Sequence, residues 1–320
     1  MTIRNVNASP GQLVASRTRI SRSGEPGREP NGAPSRGARF GLLAEPRYLV
    51  QAQPMGLAAA LRARGHVVTL LDPEAVYRLG DERWVRDLDA VVARGRSWQL
   101  LCLLSWAEAR GVPTVNRHAS VAAVHNKAEM GSQFAAAGIP TPRTFLGPVP
   151  LLAAGLSDLG ASFPIVLKPL FGDNARGIRV VRDPAELRSL EWPEPVALAQ
   201  EFVAGDGYER KVYGVGDHLW TVRRRCLLGE PGTLGEPPAS GEPPPSEPVP
   251  VLPEERELAR RCRRLFGLEL YGLDCIQTPR GTVVLEVNEF PNYTGVPDAS
   301  ERLADHVLSS ARAAREWARS

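Results

Sequence analysis

Acid and amide side chains placed inside apolar runs give the first chemical signal. Val283-Val284-Leu285-Glu286-Val287-Asn288-Glu289 follows the turn-former Gly281 and reads as a short buried strand that carries a carboxylate. Burying an ionised carboxylate costs several kcal/mol unless a cation or hydrogen bonds meet it. Glu286 and Asn288 are two apart, so both side chains leave one face of the strand. Upstream, Asp274 is a lone acid in the apolar run Leu270-Tyr271-Gly272-Leu273-Asp274-Cys275-Ile276. A hairpin through Pro279-Arg280-Gly281 would bring Asp274, Glu286 and Asn288 together. Two carboxylates and an amide oxygen suit a hard cation, Mg²⁺ above all where phosphates complete the shell. The alternative is that both acids lie at strand ends and face water.

Basic residues give the second signal. Of the 39 Lys and Arg residues only three are Lys, at Lys127, Lys168 and Lys211. In a chain that uses Arg almost everywhere, each Lys marks either chance survival or a site that needs a compact ammonium. Lys168 is the sole charge in the apolar strand Phe163–Pro169, and a buried ammonium needs an anion opposite it. The turn bounded by Gly172 and Gly177 follows at once; its backbone N–H groups could fold over phosphate, or it could be a plain hairpin turn. Gln200-Glu201-Phe202-Val203 ends a strand that starts at Ala197. It could offer backbone groups to a purine and a carboxylate to a ribose, or it could be an ordinary edge strand. Tyr208 to Gly216 and Leu219 to Cys226 read as a hairpin turning at Gly216-Asp217, with Glu209 and Lys211 on the first strand. Arg223 and Arg225 share a face of the second strand, either solvated or anion-binding.

The elements that must position these residues follow in order. Residues 1–36 are rich in Arg, Ser, Gly and Pro without hydrophobic periodicity and are expected to be a disordered tail. Residues 37–118 alternate strand and helix patterns, which predicts a small α/β domain with a parallel sheet; no Gly-x-Gly-x-x-Gly turn follows its first strand, which argues against a dinucleotide site. Residues 119–204 open with one helix over Ala119 to Ala137 that carries Lys127, and residues 205–320 form the last unit. Within it, residues 229–250 are Gly-, Glu- and Pro-rich and are expected to be a mobile loop, either a lid over the site or an idle insertion. Leu252 to Gly267 is a helix signalled by Pro and acids at its start and Arg and Gly at its end. Another helix spans Glu301 to about Arg315.

A net charge of +3 gives no argument for nucleic acid or membrane partners. Four scattered cysteines match neither metal spacing nor a disulfide framework and point to a reducing cytoplasm. No apolar run approaches the roughly 18 residues of a membrane span.

Taken in order, these motifs resemble the ATP-grasp superfamily, and within it the ribosomal-protein glutamate ligase and glutathione synthetase type, from about Ala38 to Val296. The resemblance implies an ATP-grasp fold, mixed α/β and α+β, behind a small parallel-sheet N-terminal domain. It also implies ATP on Lys127, Lys168 and the Gly172 to Gly177 turn, with adenine and ribose on Gln200, Glu201, Phe202 and Val203. Glu209 and Lys211 would complete the nucleotide site. Asp274, Glu286 and Asn288 would hold Mg²⁺, two ions by family habit, with Mn²⁺ as a substitute. Arg223 or Arg225 would stabilise charge on the transferring phosphoryl group. The implied reaction joins a small-molecule or peptide carboxylate to an amine through an acyl phosphate; homo-oligomers also fit. Lys211 stands where such ligases commonly have Arg. The turn Phe290-Pro291-Asn292-Tyr293-Thr294-Gly295 replaces the usual small-residue Pro-Gly turn and resembles that of ATP-grasp inositol polyphosphate kinases. A kinase acting on a hydroxyl, or a nucleotide-binding module without catalysis, are therefore the alternatives.

Overall fold

The computed structural model describes residues 37–172, 177–226 and 246–317. The expected tail at 1–36, residues 173–176 of the Gly-bounded turn and residues 227–245 of the low-complexity stretch lie outside them.

Strand β1 (Arg39–Ala44), helix α1 (Ala52–Ala63), β2 (Val67–Leu71), β3 (Ala90–Arg94), α2 (Trp98–Ala109) and β4 (Thr114–Val115) build a parallel sheet in the order β2-β1-β3-β4. The continuous apolar runs of β1 and β3 suit strands covered on both faces. Phe40, Leu42 and Val92 pack with Leu57 and Leu61 of α1. The alternate residues Leu43 and Val91 pack with Leu100 and Leu104 of α2.

The single helix expected over 119–137 is two, α3 (His118–His125) and α4 (Lys127–Ala136). Asn126 leaves helical geometry (φ −91°, ψ 110°), and its side chain accepts from the N–H groups of Ala128 and Glu129. The short amide caps a new helix more readily than it continues the old one. Lys127 thereby becomes the first residue of α4.

A second, antiparallel sheet contains β5 (Thr144–Gly147), β6 (Ile165–Lys168), β7 (Arg179–Val181) and β8 (Ala197–Glu201) in the order β5-β8-β6-β7, with α5 (Val149–Gly155) and α6 (Pro184–Ser189) among them in sequence. Leu152, Leu156 and Leu187 cover the face that carries Ile165, Leu167, Ala197 and Ala199. Strand alternation turns Lys168, Leu198 and Gln200 to the opposite face. The edge-strand alternative for the Gln200 segment is not what forms: β8 is interior.

The third sheet joins β9 (Tyr208–Val215), β10 (His218–Arg225), β11 (Ser246–Val249), β12 (Leu270–Thr278) and β13 (Gly281–Glu289), ordered β11-β10-β9-β12-β13 and antiparallel throughout. The end of the stretch expected to be a loop, Ser246–Val249, is instead the edge strand β11, paired with Thr221 to Arg224 of β10. Pro248 is tolerated because an edge strand leaves one side of its backbone unpaired. Helices α7 (Pro253–Phe266) and α8 (Ala299–Trp317) complete the fold.

Leu258, Cys262 and Phe266 of α7 pack on Val212, Leu273 and Cys275 of the third sheet. The start of α7 is tied down by Glu255, which is fully buried. Glu255 forms an ion pair with Arg210 and accepts from the Thr221 hydroxyl (3.0 Å) and the Leu252 N–H (2.9 Å). Replacing Glu255 by Gln strips the buried guanidinium of its counter-charge, and breaking such a pair costs about 3–5 kcal/mol. The urea midpoint of Glu255→Gln is expected to fall accordingly. Among the described residues, no helix is long and apolar enough to cross a membrane.

Candidate active site

The face of the third sheet opposite α7 carries the charged residues. Register places Asp274 between Glu286 on one side and Lys211 on the other, Asn288 opposite Gly272, and Arg224 opposite Glu209. Between Asp274 and Cys275 the β13 partner jumps from Glu286 to Val284, so Leu285 is an extra, bulged residue. The bulge resets the alternation: Val284 and Val287, three apart, both reach the α7 core, and Glu286 and Asn288 face the other way. Asp274 and Glu286 therefore sit mid-strand, with side chains only 14% and 19% exposed, rather than at strand ends facing water.

Each acid meets a lysine. Lys211 Nζ lies 2.8 Å from Asp274 Oδ1, and Asn288 Nδ2 donates to Asp274 Oδ2 (2.8 Å). Lys127 Nζ lies 3.0 Å from Glu286 Oε1 and donates to the Gly172 carbonyl (2.8 Å), and its backbone N–H donates to the Leu170 carbonyl. Lys168 donates to Gln200 Oε1 (2.6 Å). Burial pushes the Lys168 ammonium below its ordinary pKa, and the nearby Glu286 charge only partly opposes this. Burial would raise the Asp274 carboxyl, but Lys211, Arg224 and the Asn288 amide hold it below the usual range. Glu209 goes the other way, pushed up by burial and by the Asp274 charge despite Arg224 and Lys211.

Beside these pairs a cleft separates the second sheet and α4 from β13. Its polar side is Lys127, Lys168, Gln200 and Glu286; its apolar walls are Met130, Phe134, Leu198 and Leu285. Apolar walls beside two lysines suit a base attached to phosphates. Gly172 and Gly177 hold φ values of +135° and +74° at the two ends of the turn after Lys168, conformations that favour glycine.

The structure does not bring every expected residue to the cleft. Glu201 is not brought to the cleft: alternation along β8 sends it to the face opposite Gln200. There Arg143 holds it (2.6 and 3.0 Å) and the Ser162 N–H donates to it (2.7 Å). Phe202 and Val203 lie just past the strand, and the Phe202 N–H is already spent on the Pro164 carbonyl. Arg223 and Arg225 do share a face, but not that of the acids. Arg223 pairs with Glu247 of β11 and lies over the Tyr208 ring, and Arg225 is exposed. The arginine aimed at the site is Arg224, whose Nη2 lies 2.7 Å from Glu209 Oε2. The signal was in the sequence: counting back from the two-residue turn Gly216-Asp217 pairs Glu209 with residue 224.

Arg96, on the loop after β3, had no signal in its own segment. It donates to Asn288 Oδ1 and sits 3.4 Å from Glu289, and His125 Nε2 lies 3.1 Å from the other Glu289 oxygen. Burial alone would raise the Glu289 carboxyl; Arg96 and His125 overcome it and hold the pKa at about 2. A carboxyl so depressed stabilises the fold fully above its ordinary pKa of 4.5 and loses that contribution as pH falls toward about 2. Glu289→Gln is thus expected to lower the urea midpoint at pH 7, with the deficit shrinking as pH drops through that window.

The turn after β13 is built from bulky residues. Phe290 and Tyr293 take positive φ (35° and 56°), and the Tyr293 hydroxyl donates to the Gly214 carbonyl (2.8 Å). Asn292 Oδ1 accepts from the Gln53 N–H at the start of α1 (2.9 Å), which ties the turn to the parallel-sheet unit.

Among the described residues, no three His, Cys, Asp or Glu side chains are grouped to hold a metal. Asp274, Glu286 and Asn288 instead supply two carboxylates and an amide oxygen on one sheet face. That all-oxygen set fits a hard divalent cation.

Sheets in this order, with lysines opposing a carboxylate across a cleft, form an ATP-grasp fold, that of a family that uses ATP and a divalent metal. Residues 124–309, more than half of the chain, match the RimK-like ATP-grasp domain model, and the chain belongs to that family. A probable alpha-L-glutamate ligase of Desulfotalea psychrophila is 26% identical over 302 residues, covering 88% of this chain and 64% of the relative, so this chain spans less than two thirds of that protein. A second protein of that name, from Alkalilimnicola ehrlichii, is 27% identical over 76% of this chain and 85% of its own length. The crystal structure of a RimK domain ATP-grasp protein from Sphaerobacter thermophilus superposes with a TM-score of 0.65 at 22% identity, covering 85% of this chain and all of the other.

Proposed function

We propose that this chain is an ATP-dependent carboxylate–amine ligase that forms an amide or peptide bond and releases ADP and phosphate. The observation that supports it most is the facing of Lys127 and Lys168 against Glu286 in the cleft, with the Lys211–Asp274 pair on the neighbouring strands of the sheet. Lys127, Lys168 and the Gly172 to Gly177 turn bind the phosphates. The base lies between Met130, Phe134, Leu198 and Leu285. Asp274, Glu286 and Asn288 would hold two Mg²⁺ ions, with Mn²⁺ a workable substitute; a cation there neutralises phosphate charge. Glu209 and Lys211 flank that position. Arg224, rather than Arg223 or Arg225, aims a guanidinium at the transferring phosphoryl group.

In this reading an oxygen of the acid substrate attacks the γ-phosphorus of ATP and ADP leaves. The amine nitrogen then attacks the acyl carbon and phosphate leaves. The relatives' name makes L-glutamate the first amine to try, with a small-molecule or peptide carboxylate as its partner. The same reading divides the ordered chain near residues 118 and 204 and places the protein in the cytoplasm, without nucleic-acid or membrane partners.

Incubating the protein with ATP, Mg²⁺ and a panel of amino acids and short peptides tests it. ADP and phosphate should appear together only when an amine is present, with a product mass equal to acid plus amine minus water. A stable phosphorylated product formed without amine would make the protein a kinase, and no turnover across the panel would leave a nucleotide-binding module.

A further inference from the structure

The chain spends several buried groups on aiming one arginine from the parallel-sheet unit at the third sheet. Glu45, only 2% exposed, directly follows β1 and accepts from the backbone N–H groups of Arg96 (2.5 Å) and Ser97 (2.7 Å). Arg47 holds the second Glu45 oxygen at 2.8 Å. Gly95 lets the loop come this close: a Cβ there would collide with Glu45 Oε1 and the Leu100 side chain. Ser97 caps α2 through Leu100 N–H (3.2 Å), which fixes the far end of the loop. The Arg96 side chain that emerges is 7% exposed, donates to Asn288 Oδ1 and is matched in charge by Glu289.

The Asn288 amide is thereby read at both ends. A guanidinium can only donate and an ionised carboxylate can only accept. Arg96 on one side and Asp274 on the other therefore leave a single orientation for the amide, with oxygen toward Arg96 and Nδ2 toward Asp274. We propose that Arg96 is a positioning residue for the divalent-metal site: it holds Asn288 Oδ1 in place and so makes metal affinity depend on the docking of the parallel-sheet unit. The inference rests on Asn288 being a metal ligand, as proposed above. Oδ1 carries two lone pairs, one for Arg96 and one for the cation. Partners that orient a ligand in this way are typically worth about 10–100-fold in metal affinity.

Mn²⁺ binding in the presence of ADP, followed by electron paramagnetic resonance on the full chain, tests this. Arg96→Gln is expected to weaken Mn²⁺ binding by about 10–100-fold, and Arg96→Lys, which keeps a charged donor, to recover much of it. The double variant Arg96→Gln with Glu289→Gln removes both charges together and should show the same loss, which separates orientation from a change in local charge. Glu255→Gln, destabilised on the other face of the sheet, should bind Mn²⁺ as the parent does. Unchanged or tighter Mn²⁺ binding in both Arg96→Gln and the double variant would overturn the positioning role while leaving the metal site intact. Absence of ADP-dependent Mn²⁺ binding in the parent chain would instead overturn the metal assignment itself. Should Arg96→Gln fail to fold, Arg47→Ala, which loosens Glu45 and leaves Arg96 in place, is expected to show a smaller loss in the same direction; no loss there would overturn the role.

Discussion

Glu286→Gln is expected to reduce turnover by at least about a hundredfold at saturating Mg²⁺, because a metal clamp on transferring phosphate is worth several kcal/mol and each 1.4 kcal/mol is tenfold in rate. Glu286 is paired with Lys127 at 3.0 Å, and its charge is felt by Lys168. Gln keeps the shape and one acceptor oxygen but loses the charge that a divalent cation requires. The fold should survive, since Lys127 keeps the Gly172 carbonyl as acceptor and Val284 and Val287 keep the strand in the core. ADP release alongside a thermal melt checks both halves. Full turnover with an unaltered melt would remove Glu286 from the ligand set.

What could be seen in the sequence divides along physical lines. Local periodicity made the parallel sheet, the two hairpins and α7 legible, since runs such as Leu270 to Ile276 and Val283 to Val287 bury themselves wherever they fall. The spacing of two puts Glu286 and Asn288 on one face, but the turn at Pro279-Arg280 alone would pair Asp274 with Leu285; the bulged Leu285 is what brings Asp274 onto the face of Glu286 and Asn288. Four features are not legible locally. Asn126 was absorbed into a helix because cap and interior look alike until the chain on either side is placed. Alternation states that Arg223 and Arg225 share a face without saying which face that is. Only pairing across Gly216-Asp217 to Glu209 and Lys211 assigns it. Arg96 was invisible because its meaning lies in Asn288, 192 residues away; an arginine among 36 carries no local mark of a long-range contact. Ser246–Val249 likewise became a strand through its partner β10 and not through its composition.

Arg224→Ala should lower kcat by about 10²–10³-fold, the loss seen when one preorganised donor to developing negative charge is removed. Arg223→Ala and Arg225→Ala should stay within about twofold, since exposed ion pairs such as Arg223–Glu247 contribute little. The contrast tests the face assignment directly, because the three arginines are consecutive and equal in charge. Arg224 lies largely out of solvent with Glu209 and Asp274 nearby, so its truncation also leaves Glu209 without its guanidinium. The Glu209 carboxyl is already held above its ordinary range by burial and by Asp274. Losing Arg224 raises it further, which favours the neutral carboxyl over a bare buried charge and limits the stability cost. Binding of ADP with Mg²⁺ should therefore change much less than kcat, since an interaction used chiefly in the transition state leaves ground-state binding alone. Arg224→Lys restores the charge without the planar fork and should recover only part of the rate. A large loss in Arg223→Ala with none in Arg224→Ala would place the phosphoryl group on the other face of β10.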